Sequence, residues 1–130
     1  MDNMKEWARS RTTADFSWNA GNDSLLKEIK GVISALLDGS KFNLERNTTI
    51  TEQSVDVFLN GEKNRMASIW PKCRSHCVDL LLKNEYVDRL RLRMDLPEDI
   101  DNKPGQKSPR KFKAISIEKV IEIFDCLASL

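Results

Sequence analysis

Cys73, His76 and Cys77 fall within five residues of one another, and Cys126 lies further along the chain. Three thiols and one imidazole are a donor set that structural zinc accepts. The spacing, however, lacks the paired Cys-x-x-Cys knuckles of reliable zinc sites. If His76 and Cys77 share a strand, their side chains point to opposite faces, so both could ligate only from a turn. The ordinary reading makes Cys77 and Cys126 small core residues and His76 a surface or hydrogen-bonded histidine. No metal is therefore expected, and Cys73, His76, Cys77 and Cys126 are the weak candidates to hold one. A Cys–His nucleophile pair would need a lowered thiol pKa and an orienting third group, and the sequence displays neither.

Other catalytic chemistries fare no better. Metal-assisted phosphodiester cleavage needs clustered carboxylates beside a lysine. The Glu28-Ile29-Lys30 triplet lies inside an amphipathic stretch, where both charged residues read as solvent-facing. Asp56 and Asp79 fall on strand-like segments without a convincing lysine partner. The five glycines are scattered and form no phosphate cradle. No Gly-flanked serine suggests a hydrolase triad. The expectation leans away from an enzyme, with no catalytic residue and no cofactor assigned.

The basic residues carry the stronger pattern. Arg89, Arg91 and Arg93 form a stripe on one face if they lie on a strand. Lys63, Arg65, Lys72 and Arg74 fall near hairpin ends, and Lys107, Arg110, Lys111 and Lys113 on or beside a long loop. Such clusters can track a phosphate backbone, with Trp70 or Phe58 available to stack on bases. The opposing reading has these cations covering the solvent side of a sheet and pairing with Asp88, Asp95 and Glu98. The formal net charge of only +1 favours it, since nucleic-acid binders usually carry a clear basic excess.

These side chains must be positioned by elements that periodicity makes legible. Leu25, Leu26, Ile29, Val32, Ile33, Leu36 and Leu37 recur at helical spacing, with Asn22, Asp23 and Ser24 as capping candidates and Gly39 after the end. Residues 42–50 and 54–59 read as strands, and Asn60-Gly61 as a tight turn. Residues 66–70 and 77–82 are two further strands, and Pro71 argues that the first is not a long central one. Residues 89–96 alternate Leu90, Leu92, Met94 and Leu96 with polar residues, which predicts a strand, although Tyr86, Val87, Leu90 and Met94 also fit a short helix. Residues 97–110 are a loop, and residues 112–115 an edge strand. Ser116 caps a last helix striped by Ile117, Val120, Ile121, Phe124, Leu127 and Ala128. The expected fold is α+β: a mostly antiparallel sheet of four to five strands, with an N-terminal and a C-terminal helix on one face. Residues 1–20, with Trp7, Phe16 and Trp18, read as an arm on a single domain of residues 21–130.

The middle of the chain resembles a small family of uncharacterised α+β domains. The likeness rests on Ser54-Val55-Asp56-Val57-Phe58-Leu59, on Arg65-Met66-Ala67-Ser68-Ile69-Trp70-Pro71-Lys72, and on His76-Cys77-Val78-Asp79-Leu80-Leu81-Leu82-Lys83. Phe58-Leu59 replaces a Tyr-Lys pair frequent in that family, and Cys73-Arg74-Ser75-His76 replaces its lysine-rich turn. Members occur alone, some labelled predicted transport proteins, or attached to nuclease-like and DNA-modification domains. The resemblance implies a fold and a restriction or defence setting, with no catalytic residues to carry over.

At 40% apolar and 32% charged residues, the composition fits a globular chain rather than a disordered or membrane one. The N-terminus lacks the apolar stretch of a signal peptide, so a cytoplasmic protein with reduced thiols is expected. The expected function is a non-catalytic accessory or binding domain associated with nucleic acid. Arg89, Arg91, Arg93, Arg65, Lys72, Arg74 and Lys111 are the binding candidates. The alternative is a protein-interaction or oligomerisation module without nucleic-acid binding, with a protein partner or a homodimer; no membrane partner is expected.

Overall fold

The computed structural model describes residues 3–40, 42, 48–50, 54–97 and 109–130. Among these described residues, four helices and five strands follow one another as α1 (Asn3–Arg9), α2 (Asn22–Leu37), β1 (Thr48–Ile50), β2 (Val55–Phe58), β3 (Arg65–Lys72), β4 (Cys77–Leu82), α3 (Asn84–Arg91), β5 (Arg110–Ile115) and α4 (Ile117–Ala128), with a 3-10 turn at Thr13–Asp15. The strands form one antiparallel sheet in sequence order, β1-β2-β3-β4-β5. This is the expected α+β architecture. Among the described residues, no helix is long and apolar enough to cross a membrane.

The core follows from the two helical stripes. All seven apolar residues of the α2 stripe are buried, as are Ile117, Val120, Ile121, Phe124 and Leu127 of α4. Each helix needs an apolar surface to cover that stripe, and the sheet supplies one. Register places Val55 opposite Ile69, Val57 opposite Ala67, Ile69 opposite Leu80, and Leu80 opposite Phe112. Because strand side chains alternate, these residues share one face, and all are buried. Ser116 caps α4 by accepting the Lys119 backbone N–H at 3.1 Å. Gly61, at φ 81°, supplies the left-handed turn between β2 and β3.

Three local expectations are corrected. Residues 84–91 form helix α3 rather than contributing to a strand over 89–96. The segment has almost no β-branched residues, and its helical face buries Tyr86, Val87 and Leu90. The alternation that suggested a strand fails at Leu92, which is 88% exposed. Strand β3 runs eight residues through Pro71 and lies in the centre of the sheet. Among the described residues, β2 pairs with β3 only as far as Ile69, so the described strand neighbour at Pro71 is β4 alone, a setting in which proline is tolerated. Helix α2 has Gly21 at φ 98° as its N-cap, so positions 22–24 lie inside the helix rather than capping it.

The N-terminal segment is tied to the helical layer at three points. Arg9 meets Asp125 of α4 at 3.0 Å, the Ser17 N–H donates to Glu28 of α2, and Glu118 accepts both the Thr13 hydroxyl and its N–H. Phe16 and Trp18 are buried, whereas Trp7 stays 41% exposed.

Candidate nucleic-acid interface

The sheet's other face, turned away from α2 and α4, gathers the polar residues of β2, β3 and β4. Register sets Asp56 opposite Ser68, Ser68 opposite Leu81, Trp70 opposite Asp79, and Leu81 opposite Lys111. Short side chains form the floor: Ser54, Asp56, Ser68 and Asp79 are all buried. The longer side chains of Trp70, Lys72, Leu81 and Lys111 share that face, and a register shift that leaves Met66 as an extra residue, setting Arg65 opposite Phe58, brings Arg65 to it as well; all five are exposed or half-buried.

Both floor carboxylates are held by hydrogen bonds, as buried charges must be. Asp56 Oδ1 accepts the Ser68 hydroxyl at 2.7 Å and the Ser54 hydroxyl at 3.0 Å, and Oδ2 lies 3.7 Å from Arg65 Nη1. Asp79 Oδ1 accepts the Ala114 N–H at 2.9 Å, and Oδ2 lies 3.4 Å from Lys72 Nζ. The Ala114 contact has a backbone cause. Val78 pairs with Ile115 and Leu80 with Phe112, so Lys113 and Ala114 together oppose Asp79 in a bulge. Ala114 sits at φ 54°, and Asp79 accepts the N–H that the interrupted ladder leaves over.

Sequence reasoning missed this floor. The signal was a charged residue between two valines, Val55-Asp56-Val57, in a strand expected to be buried on one side. It also missed the ring contact that holds His76, whose imidazole stacks on the Trp18 indole at 5.4 Å and 11°.

Of the basic candidates, Arg65, Lys72 and Lys111 come together on this face, and Arg74 is exposed in the β3–β4 turn. The arginine stripe does not form. Arg89 and Arg91 lie on α3, two positions and about 200° apart around the helix, and Arg93 follows its end. Arg89 lies over the Tyr86 ring at 5.9 Å, and Arg91 donates to the Pro97 carbonyl at 3.5 Å. Asp88 pairs with Arg110 at 3.0 Å. Lys107 and Glu98 lie outside the described residues.

No protein-family model, curated protein or solved structure matches the chain.

Among the described residues, no three His, Cys, Asp or Glu side chains are grouped so that they could hold a metal ion. Cys73, Cys77 and Cys126 are half-buried, with Cys73 and Cys126 packed against the apolar core. His76, at φ 51° in the turn, is engaged with Trp18 rather than with a thiol. The face presents cations at its rim, hydrogen-bonded carboxylates beneath, and the half-buried aromatics Phe58 and Trp70 among them.

Proposed function

We propose that this chain is a non-catalytic accessory or binding domain that acts in the cytoplasm and engages nucleic acid through the polar face of its sheet. The observation that carries this reading is the sharing of one face by Arg65, Lys72, Lys111, Phe58 and Trp70, opposite the helices. Cations beside aromatic rings are the combination that backbone-tracking nucleic-acid sites use. The resemblance to domains attached to nuclease-like and DNA-modification proteins supports the same setting.

The test is binding of labelled oligonucleotides as a function of salt. Three phosphate-contacting cations predict a slope of log affinity against log salt of about −2 for a single strand. Lys72→Ala with Lys111→Ala should flatten that slope and weaken binding, while Arg91→Ala with Arg93→Ala should leave both unchanged. Binding that ignores salt, or that depends on the second pair rather than the first, would reject the assignment of this face.

A second reading, a protein-docking module, is favoured by one specific observation. Met4 and Trp7 of α1 are 63% and 41% exposed. The β5 edge is a poorer docking strand, because Lys111, Lys113 and the bulge discourage a further strand from pairing there. A chain that ignores oligonucleotides yet elutes as a dimer would favour the α1 surface.

A further inference from the structure

We infer that the sheet face selects single-stranded over duplex nucleic acid, with Trp70 as the stacking platform; this rests on the nucleic-acid reading above. Two indoles, Trp18 and Trp70, show by comparison why Trp70 is the residue in question. Trp18 is 5% exposed, and its Nε1–H donates to the Thr13 carbonyl at 2.7 Å, so it is a satisfied structural residue. Trp70 is only half-buried, yet its Nε1 is fully buried and has no hydrogen-bond partner among the described residues. Nε1 is the only polar atom of an indole side chain. Whatever part of the Trp70 side chain meets solvent is therefore hydrocarbon. Such a surface cannot read a base by hydrogen bonding, but it can take the face of one.

The charges around it point the same way. Arg65 and Lys72 stand seven positions apart on β3, six regular strand steps once the bulge at Met66 is counted, or about 20 Å at a strand's rise per residue, with Lys111 between them two strands over. That length suits a site of about four nucleotides, the lower end for sheet-borne single-strand sites. Arg65 and Lys72 already share their charge with Asp56 and Asp79. Three cations, two of them partly neutralised, hold a duplex weakly, since a duplex offers this face only phosphates. A single strand adds bases free to stack, and stacking depends little on sequence. The preference is thus set by the aromatic surface rather than by the charge.

The experiment compares three ligands of matched length: oligothymidylate, oligouridylate and a DNA duplex. Each is titrated against the wild-type chain, Trp70→Leu and Trp70→Phe. Leucine keeps apolar bulk without a π-face, and phenylalanine keeps a smaller ring, so a general packing defect would strike both. The wild type should bind both single strands more tightly than the duplex. Trp70→Leu should lose about 5- to 140-fold on single strands, the worth of one stacked base, with an unchanged salt slope and unchanged duplex binding. Trp70→Phe should retain most of the single-strand affinity. Equal binding of duplex and single strand, or indifference to Trp70→Leu with Lys72 and Lys111 still required, overturns the single-strand inference and leaves the proposed function standing. Binding of none of the three ligands overturns both.

Discussion

Asp79 and Leu80 are consecutive residues of β4, and the sheet carries them to environments with opposite rules. Leu80 is fully buried between Ile69 and Phe112, on the face that α2 and α4 cover. Asp79 is 4% exposed on the other face, where a backbone N–H and a lysine satisfy it. Both are buried, but for different physical reasons. On the helical side, water is excluded because apolar surfaces gain by meeting. On the polar side, the carboxylates tolerate burial only because hydrogen bonds replace those they made to water. The first arrangement depends on volume and shape, and the second on individual donors and acceptors. A single substitution on the polar side can therefore alter the charge of that surface without emptying the core.

The largest effect that would test this contrast is Leu80→Ala. It removes a fully buried side chain from the centre of the sheet and should lower unfolding stability by about 3–5 kcal/mol in urea denaturation. A loss below about 1 kcal/mol, the range of tolerated hydrophobic swaps, would mean that the helices do not seal this face. Asp79→Ala should cost less, about 1–3 kcal/mol, chiefly because it strands the Ala114 N–H of the bulge. Asp79→Asn keeps an oxygen at that position and should recover part of the loss. If asparagine costs as much as alanine, the ion pair with Lys72, not the bulge bond, is what Asp79 provides.

The apolar side was legible in the sequence, and the polar side was not. Helical stripes such as Leu25 to Leu37 are readable because seven residues repeat one spacing, and all seven are buried. Strand β2 was readable from Val55 and Val57 in the same way. Asp56 and Asp79 looked like solvent residues because alternation reports only which side of a strand a residue faces. Whether the second side is wet or saturated depends on partners such as Ser68 and Ala114, 12 and 35 positions away. The arginine stripe failed because period-two alternation in 89–96 competed with a helical pattern at Tyr86, Val87 and Leu90. Burial of those three residues settled the competition for the helix. Lys72 and Lys111 were visible as charges, but only the register of β3, β4 and β5 brings them to one face.

The smallest effect concerns the N-terminal segment, which acid should loosen. Glu118 accepts the Thr13 hydroxyl at 2.6 Å and the Thr13 N–H at 3.1 Å, and the hydroxyl bond is the main reason its carboxyl sits below its ordinary value of 4.5. Asp15 is lowered likewise from 3.8, by the backbone N–H of Thr12 first and the Thr12 hydroxyl second. Both groups hold a proton less readily in the folded chain than in the unfolded one. Their contribution is complete above those ordinary values and fades as pH falls through the lowered folded values. The Trp18 indole N–H reports on this segment directly, because it donates to the carbonyl of Thr13. Its protection from hydrogen exchange, corrected for intrinsic exchange rates, should hold steady at neutral pH and decline in acid before the protection of core β4 amides does. Thr13→Val removes the hydroxyl donor while keeping the side chain's shape. That variant should show weaker Trp18 protection at neutral pH and a smaller further loss in acid. Identical acid profiles for Thr13→Val and the parent would show that Glu118 does not hold this segment through Thr13.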